Sequence, residues 1–130
     1  RTRQAKVDRV ADTIPPVEVD DPDGDAELLV LGWGSTYGPI GAGCRRVRQK
    51  GLSIASAHLR HLNPFPGNLG DVLRRYDKVI VPEMNLGQLA LLLRAKYLVD
   101  VEGYTQVRGM PFAPSELEDV LTAGLKEMSS

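Results

Sequence analysis

Three short polar clusters carry residue types that do chemistry: Gly34-Ser35-Thr36, Arg60-His61-Leu62-Asn63 and Glu83-Met84-Asn85. Ser35, His61 and Glu83 would supply the nucleophile, base and orienting carboxylate of a hydrolytic trio if the fold brought them together. Ser35 lacks the G-x-S-x-G setting that exposes such a nucleophile, and polar residues at strand ends usually tie down loops. The run "LGWGSTYGPIGAG" offers a second chemistry. Helix N-terminal amides attract anions, and glycines let a phosphate approach. Gly32 and Gly34 fit the first two places of the dinucleotide fingerprint, but Tyr37 stands at the third, and Arg60 stands where its acidic residue belongs. What survives is a candidate anion site on Gly34, Ser35 and Thr36. Arg60 or Arg108 would lend charge, and His61, Asn63, Glu83 and Asn85 sit on neighbouring strand ends.

Each cluster also has a purely structural explanation. Gly41 and Gly43 would let a helix lie close on a sheet, with Ser35 or Thr36 as its N-cap. Asn85 is a natural N-cap, Gln88 completes a box-like arrangement with it, and Glu83 is favoured beside a positive helix end. His58 shares one side of a strand with Ile54 and Ser56, where a hydrogen-bonded structural role is expected.

Composition narrows the choice. The chain is 42% hydrophobic and 25% charged, with a formal net charge of −1, which argues against a dedicated nucleic-acid binder. The run Arg45, Arg46, Arg48 and Lys50 reads as the solvated face of a helix. Cys44 is the single cysteine, and with His58 and His61 it cannot supply a cysteine-rich metal or iron–sulfur site. No apolar run approaches the roughly 20 residues of a membrane helix. A reducing, cytoplasmic setting is expected. The first residue is not Met, and a helix-like pattern is already under way there, so a piece of a longer protein is expected.

The elements that position these residues follow from hydrophobic patterning. Residues 1–13 read as a helix, and residues 1–26 as an N-terminal helix with a linker or edge strand around Val17–Val19. From residue 27 to the end, apolar strands alternate four times with helices: 27–33, 36–51, 53–60, 68–77, 78–84, 86–98, 101–109 and 113–128. Ser115 and Glu118 would form a capping box on the last helix. Strand–helix alternation with short connections predicts a three-layer α/β domain with a mostly parallel sheet, whose ligands collect beyond the strand carboxyl ends.

The helix over 86–98 is greasy on two sides. Leu86, Leu89, Ala90, Leu93 and Tyr97 share the face that packs on the sheet, and Leu91, Ala95 and Leu98 form a second stripe opposite. Only Gln88, Arg94 and Lys96 interrupt the apolar surface. A stripe of that kind left in water is costly, so a neighbouring domain or subunit is expected to cover Leu91, Ala95 and Leu98, with Gln88 and Arg94 in the same interface.

The runs "LVLGWGSTYGPI" and "AHLRHLNPFPGNLGDVLRRYDKVIVPEMNLGQLALLLRAKYLVDVEGYTQVRGMPF" resemble the C-terminal part of the alpha subunit of 2-oxoacid:ferredoxin oxidoreductases, most nearly the 2-oxoglutarate enzymes. The resemblance implies a transketolase C-terminal-like domain over residues 27–130, with a five-stranded mixed sheet and one antiparallel edge strand. It implies an enzyme that decarboxylates a 2-oxoacid on thiamine diphosphate with Mg2+. Electrons pass through iron–sulfur clusters to ferredoxin, and the acyl group goes to coenzyme A. The remaining alpha-subunit domains and the beta subunit would be the partners, with no nucleic acid or membrane involved. Cofactors and catalytic groups would lie in those parts and none in this chain, which would serve assembly. An anion-binding module, for a phosphate or coenzyme A fragment, is the competing expectation; an independent enzyme is a third.

Overall fold

The computed structural model describes residues 15–22, 24–60, 65–83, 88–105 and 112–129. The predicted helix over residues 1–13 lies outside them, as do His61, Asn63, Asn85 and Arg108.

The strands are β1 (Val19–Asp20), β2 (Leu28–Trp33), β3 (Ala55–Leu59), β4 (Lys78–Glu83) and β5 (Val101–Thr105). They lie in the order β1-β3-β2-β4-β5. β1 pairs antiparallel with β3, Val19 opposite Ala57, and every other pair is parallel. Among the described residues three helices connect successive strands, α1 (Tyr37–Gln49), α2 (Leu69–Arg75) and α3 (Gln88–Tyr97), and a fourth, α4 (Pro114–Ser129), follows β5. This is the expected α/β/α sandwich with one antiparallel edge. β2 and β4 are buried on both faces because helices cover both sides, which is why they read as unbroken apolar runs.

Strand alternation divides the core in two. Leu29, Leu31, Ala57, Val79 and Val81 face α2 and α3, where they meet Leu69, Leu73, Leu89 and Leu93. Leu28, Val30, Ile54 and Ile80 face α1 and α4, where they meet Ile40, Cys44, Val47, Leu117 and Leu121. Each leucine so buried contributes about 2 kcal/mol. Gly51, in the left-handed region at φ 84°, ends α1 as expected.

Three local expectations are corrected. Ser115 and Glu118 do not box the last helix, because Pro114 takes the first helical position and moves Ser115 inside. Glu118 instead accepts from Lys50 at 2.8 Å and from Arg46 at 3.5 Å, joining α4 to α1. Gly43 serves that same joint rather than the sheet: a Cβ there would stand 2.9 Å from the Cβ of Leu117. Arg48 is not part of a solvated face. It donates to the Ile54 carbonyl and to both the carboxylate and carbonyl of Asp20, pinning β1 to the end of α1.

The N-terminal edge is held by a second clamp. The Val17 amide donates to Asn68 Oδ1 at 2.9 Å, and Asn68 Nδ2 donates to the Val17 carbonyl at 3.1 Å. The asparagine amide thus imitates one rung of a strand partner.

Candidate functional site

At the carboxyl end of β2 the chain turns through a single 3-10 turn, Gly34–Thr36. Gly34 has φ 66°, a conformation costly for residues with a Cβ, and is exposed. Thr36 is 4% exposed, and its hydroxyl accepts from the Trp33 amide and donates to the Trp33 carbonyl. It occupies the N-cap position of α1 but makes no side-chain cap bond. The hydroxyl expected to greet an anion is therefore spent on shaping the turn.

His58 and Arg60 stand at the end of the neighbouring strand β3. The His58 ring lies edge-on to Tyr37, with centroids 5.0 Å apart. Its Nδ1 is buried without a hydrogen-bond partner among the described residues. A hydrogen-bonded structural role is expected for His58, and among the described residues its Nδ1 makes no such bond. Burial, then the charge of Arg60, lowers its pKa. Gly32 opposite makes room for this packing, since a Cβ there would fall 2.3 Å from Ile40 Cδ1. Tyr37, His58, Arg45 and Arg60 line a groove of about 1150 Å³ between α1 and the β1 edge. Cys44 borders it, and burial pushes its thiol up to about 11, against the pull of Arg48. That thiol is a core group, not a nucleophile.

Glu83 ends β4 and is 1% exposed. Its Oε1 accepts from the Leu89 amide at 2.8 Å and its Oε2 from the Ala90 amide at 3.1 Å. Both oxygens thus satisfy donors that the start of α3 leaves open. Glu83 is thereby committed to holding the start of α3, although each oxygen keeps a further acceptor site. Ser35 lies in the turn that follows β2 and Glu83 is the last residue of β4, while His61 lies outside the described residues.

One cysteine cannot ligate an iron–sulfur cluster, and among the described residues no three His, Cys, Asp or Glu side chains are grouped to hold a metal ion.

The outer face of α3 is the other candidate. Leu89, Ala90 and Leu93 are buried under it, on the side expected. Leu91 is 62% exposed, Leu92 55% and Leu98 88%, with Gln88 and Ala95 exposed between them. Its two cations do not shield this surface. Arg94 Nε donates to the Val101 carbonyl at 2.7 Å, and Lys96 Nζ lies 5.9 Å from the rings of Phe65 and Tyr97. Sequence reasoning missed Leu92, although 100° per residue places it beside Gln88 and Ala95. Leu98 was expected inside the helix, but α3 ends at Tyr97.

Residues 26–117 match the family model described as pyruvate:ferredoxin oxidoreductase core domain II. The chain belongs to this family. A core domain II relative, the 2-oxoglutarate oxidoreductase subunit KorA of Mycobacterium tuberculosis, is 60% identical over 125 residues, covering 96% of this chain and 19% of KorA. Among solved structures, the 2-oxoglutarate:ferredoxin oxidoreductase from Magnetococcus marinus, with 2-oxoglutarate, coenzyme A and succinyl-CoA bound, superposes with a TM-score of 0.85 at 30% identity. It is matched over 95% of this chain and 22% of its own. A split gene transketolase, described as an inactive beta4 tetramer, superposes with a TM-score of 0.61 at 14% identity, covering 87% of this chain and 43% of that one. That likeness speaks for the fold alone. This core domain II chain spans about a fifth of the length of KorA and of the Magnetococcus protein. No described helix is long and apolar enough to cross a membrane.

Proposed function

We propose that this chain is the C-terminal assembly domain of the alpha subunit of a cytoplasmic 2-oxoglutarate:ferredoxin oxidoreductase. The observation that carries the reading is the bare outer face of α3 in a chain a fifth as long as its 60%-identical relative. A domain that leaves Leu91 and Leu92 in water on one helix and Leu98 just beyond its end has a surface suited to contact. The remaining alpha-subunit domains are the occupant, because the relatives carry that much more polypeptide. The whole enzyme would convert a 2-oxoacid to an acyl-coenzyme A and reduce ferredoxin. Thiamine diphosphate with Mg2+ would supply the decarboxylation chemistry, and iron–sulfur clusters the electron path, both outside this chain and shared with the beta subunit. The part left to residues 15–129 is positioning.

The test is a chimera in which this chain replaces the matching segment of M. tuberculosis KorA within its complex. Ferredoxin reduction that depends on 2-oxoglutarate and coenzyme A should survive the exchange. An assembled but inactive chimera would overturn the reading, and so would turnover of 2-oxoglutarate by the 130-residue chain on its own.

A second reading, an anion held between Arg45 and Arg60, is favoured by the groove those residues line. Adding inorganic phosphate should then shift the amides of Tyr37, Gly38 and Gly41. Unmoved amides at about 10 mM, well above the range of ordinary metabolite binding, would exclude it.

A further inference from the structure

Leu98 is singled out by its backbone. It is the one non-glycine residue with positive φ among the described residues, at 56°. Its amide donates to the Arg94 carbonyl at 3.0 Å, so it occupies the left-handed position just past the end of α3. Glycine is the usual residue there, because a Cβ strains this conformation. In this kind of helix stop, a side chain at the left-handed position normally packs on the residue four places earlier. Here that residue is Arg94, whose guanidinium is drawn to the Val101 carbonyl, and Leu98 remains 88% exposed. Both the backbone and the exposure of Leu98 thus work against the stability of the chain by itself.

We infer that Leu98 is the anchor of the α3 docking surface, inserted into an apolar pocket of the remaining alpha-subunit polypeptide. This inference rests on the assembly reading above. Leu98 follows directly on the helix that exposes Leu91, Leu92 and Ala95, with the exposed polar side chains of Gln88 and Arg94 on the same helix, a mix of apolar and polar groups of the kind protein contacts use. A fixed backbone presents the side chain with little ordering left to lose on contact. The area offered by one helix face is modest, so a single well-seated residue carries a large share of it.

The experiment titrates the 130-residue chain against M. tuberculosis KorA from which the matching segment has been removed. Leu98→Gly should weaken association at least about tenfold, while Leu98→Ala, which keeps the strain, should weaken it comparably. The melting temperature of Leu98→Gly alone should equal or exceed that of the parent. Binding by Leu98→Gly within about twofold of the parent would overturn the anchor while leaving the docking surface standing. A clear drop in its melting temperature would also overturn the anchor, because Leu98 would then serve its own fold. No association by the parent chain would remove the docking reading and the anchor together.

Discussion

Replacing Glu83 with alanine is expected to lower the melting temperature by about 10 °C. The carboxylate is 1% exposed, and each of its oxygens accepts one amide from the start of α3. Hydrogen bonds to a charged group each contribute about 1.5–3 kcal/mol, and removing the acceptor strands two donors at a buried helix end. The loss of favourable charge at a helix N-terminus adds a few tenths of a kcal/mol or more. Part of this returns if water enters the space, so a net cost of about 3 kcal/mol is expected. Glu83→Gln keeps one acceptor oxygen and should lose about half as much. Thermal unfolding of the two variants checks the order. Equal stability of Glu83→Ala and the parent would mean that α3 is held by its leucines alone.

Changing Leu91 and Leu92 together to aspartate should leave the chain folded and remove its association with truncated KorA. Both side chains are more than half exposed, so the substitutions cost the isolated domain little. In the contact, two leucines would give up about 3–5 kcal/mol of burial, and two carboxylates would have to shed water. A fall in affinity of at least about 100-fold follows. Titration of the folded double variant decides it, with far-ultraviolet circular dichroism as the control. Affinity unchanged within about threefold would show that another face makes the contact.

The sheet was legible because its inner strands are buried on both faces, and "LLVLGW" and "KVIVPE" can read as little else. Helix faces were legible for the same reason: Ile40, Cys44 and Val47 recur at 3.6-residue spacing and are buried. Helix ends were not. The sequence reading set Glu83 beside the positive end of α3 but not the bonds it makes there, one oxygen to the Leu89 amide and the other to the Ala90 amide, while Asn85 lies outside the described residues. Glu118 shows the same limit from the other side, since its partners on α1 are 68 or more positions away. Spacing rules see neighbours in the chain, while Glu118 and Arg48 act through neighbours in space. Leu98 eluded the reading differently. Nothing in its type announces a left-handed backbone, which follows from where α3 must stop for β5 to begin.

The Asn68 clamp and β1 fix where the chain leading to Pro15 joins the sheet, and that is the rim opposite β5. α3 packs over the β5 rim, with Ala90 against Gly103 and Arg94 on Val101. Four strand spacings, about 19 Å, separate the two rims. If α3 docks as proposed, its contact lies at one rim and the Asn68 clamp at the other, so a pull exerted through α3 would cross the whole width of the sheet before reaching β1.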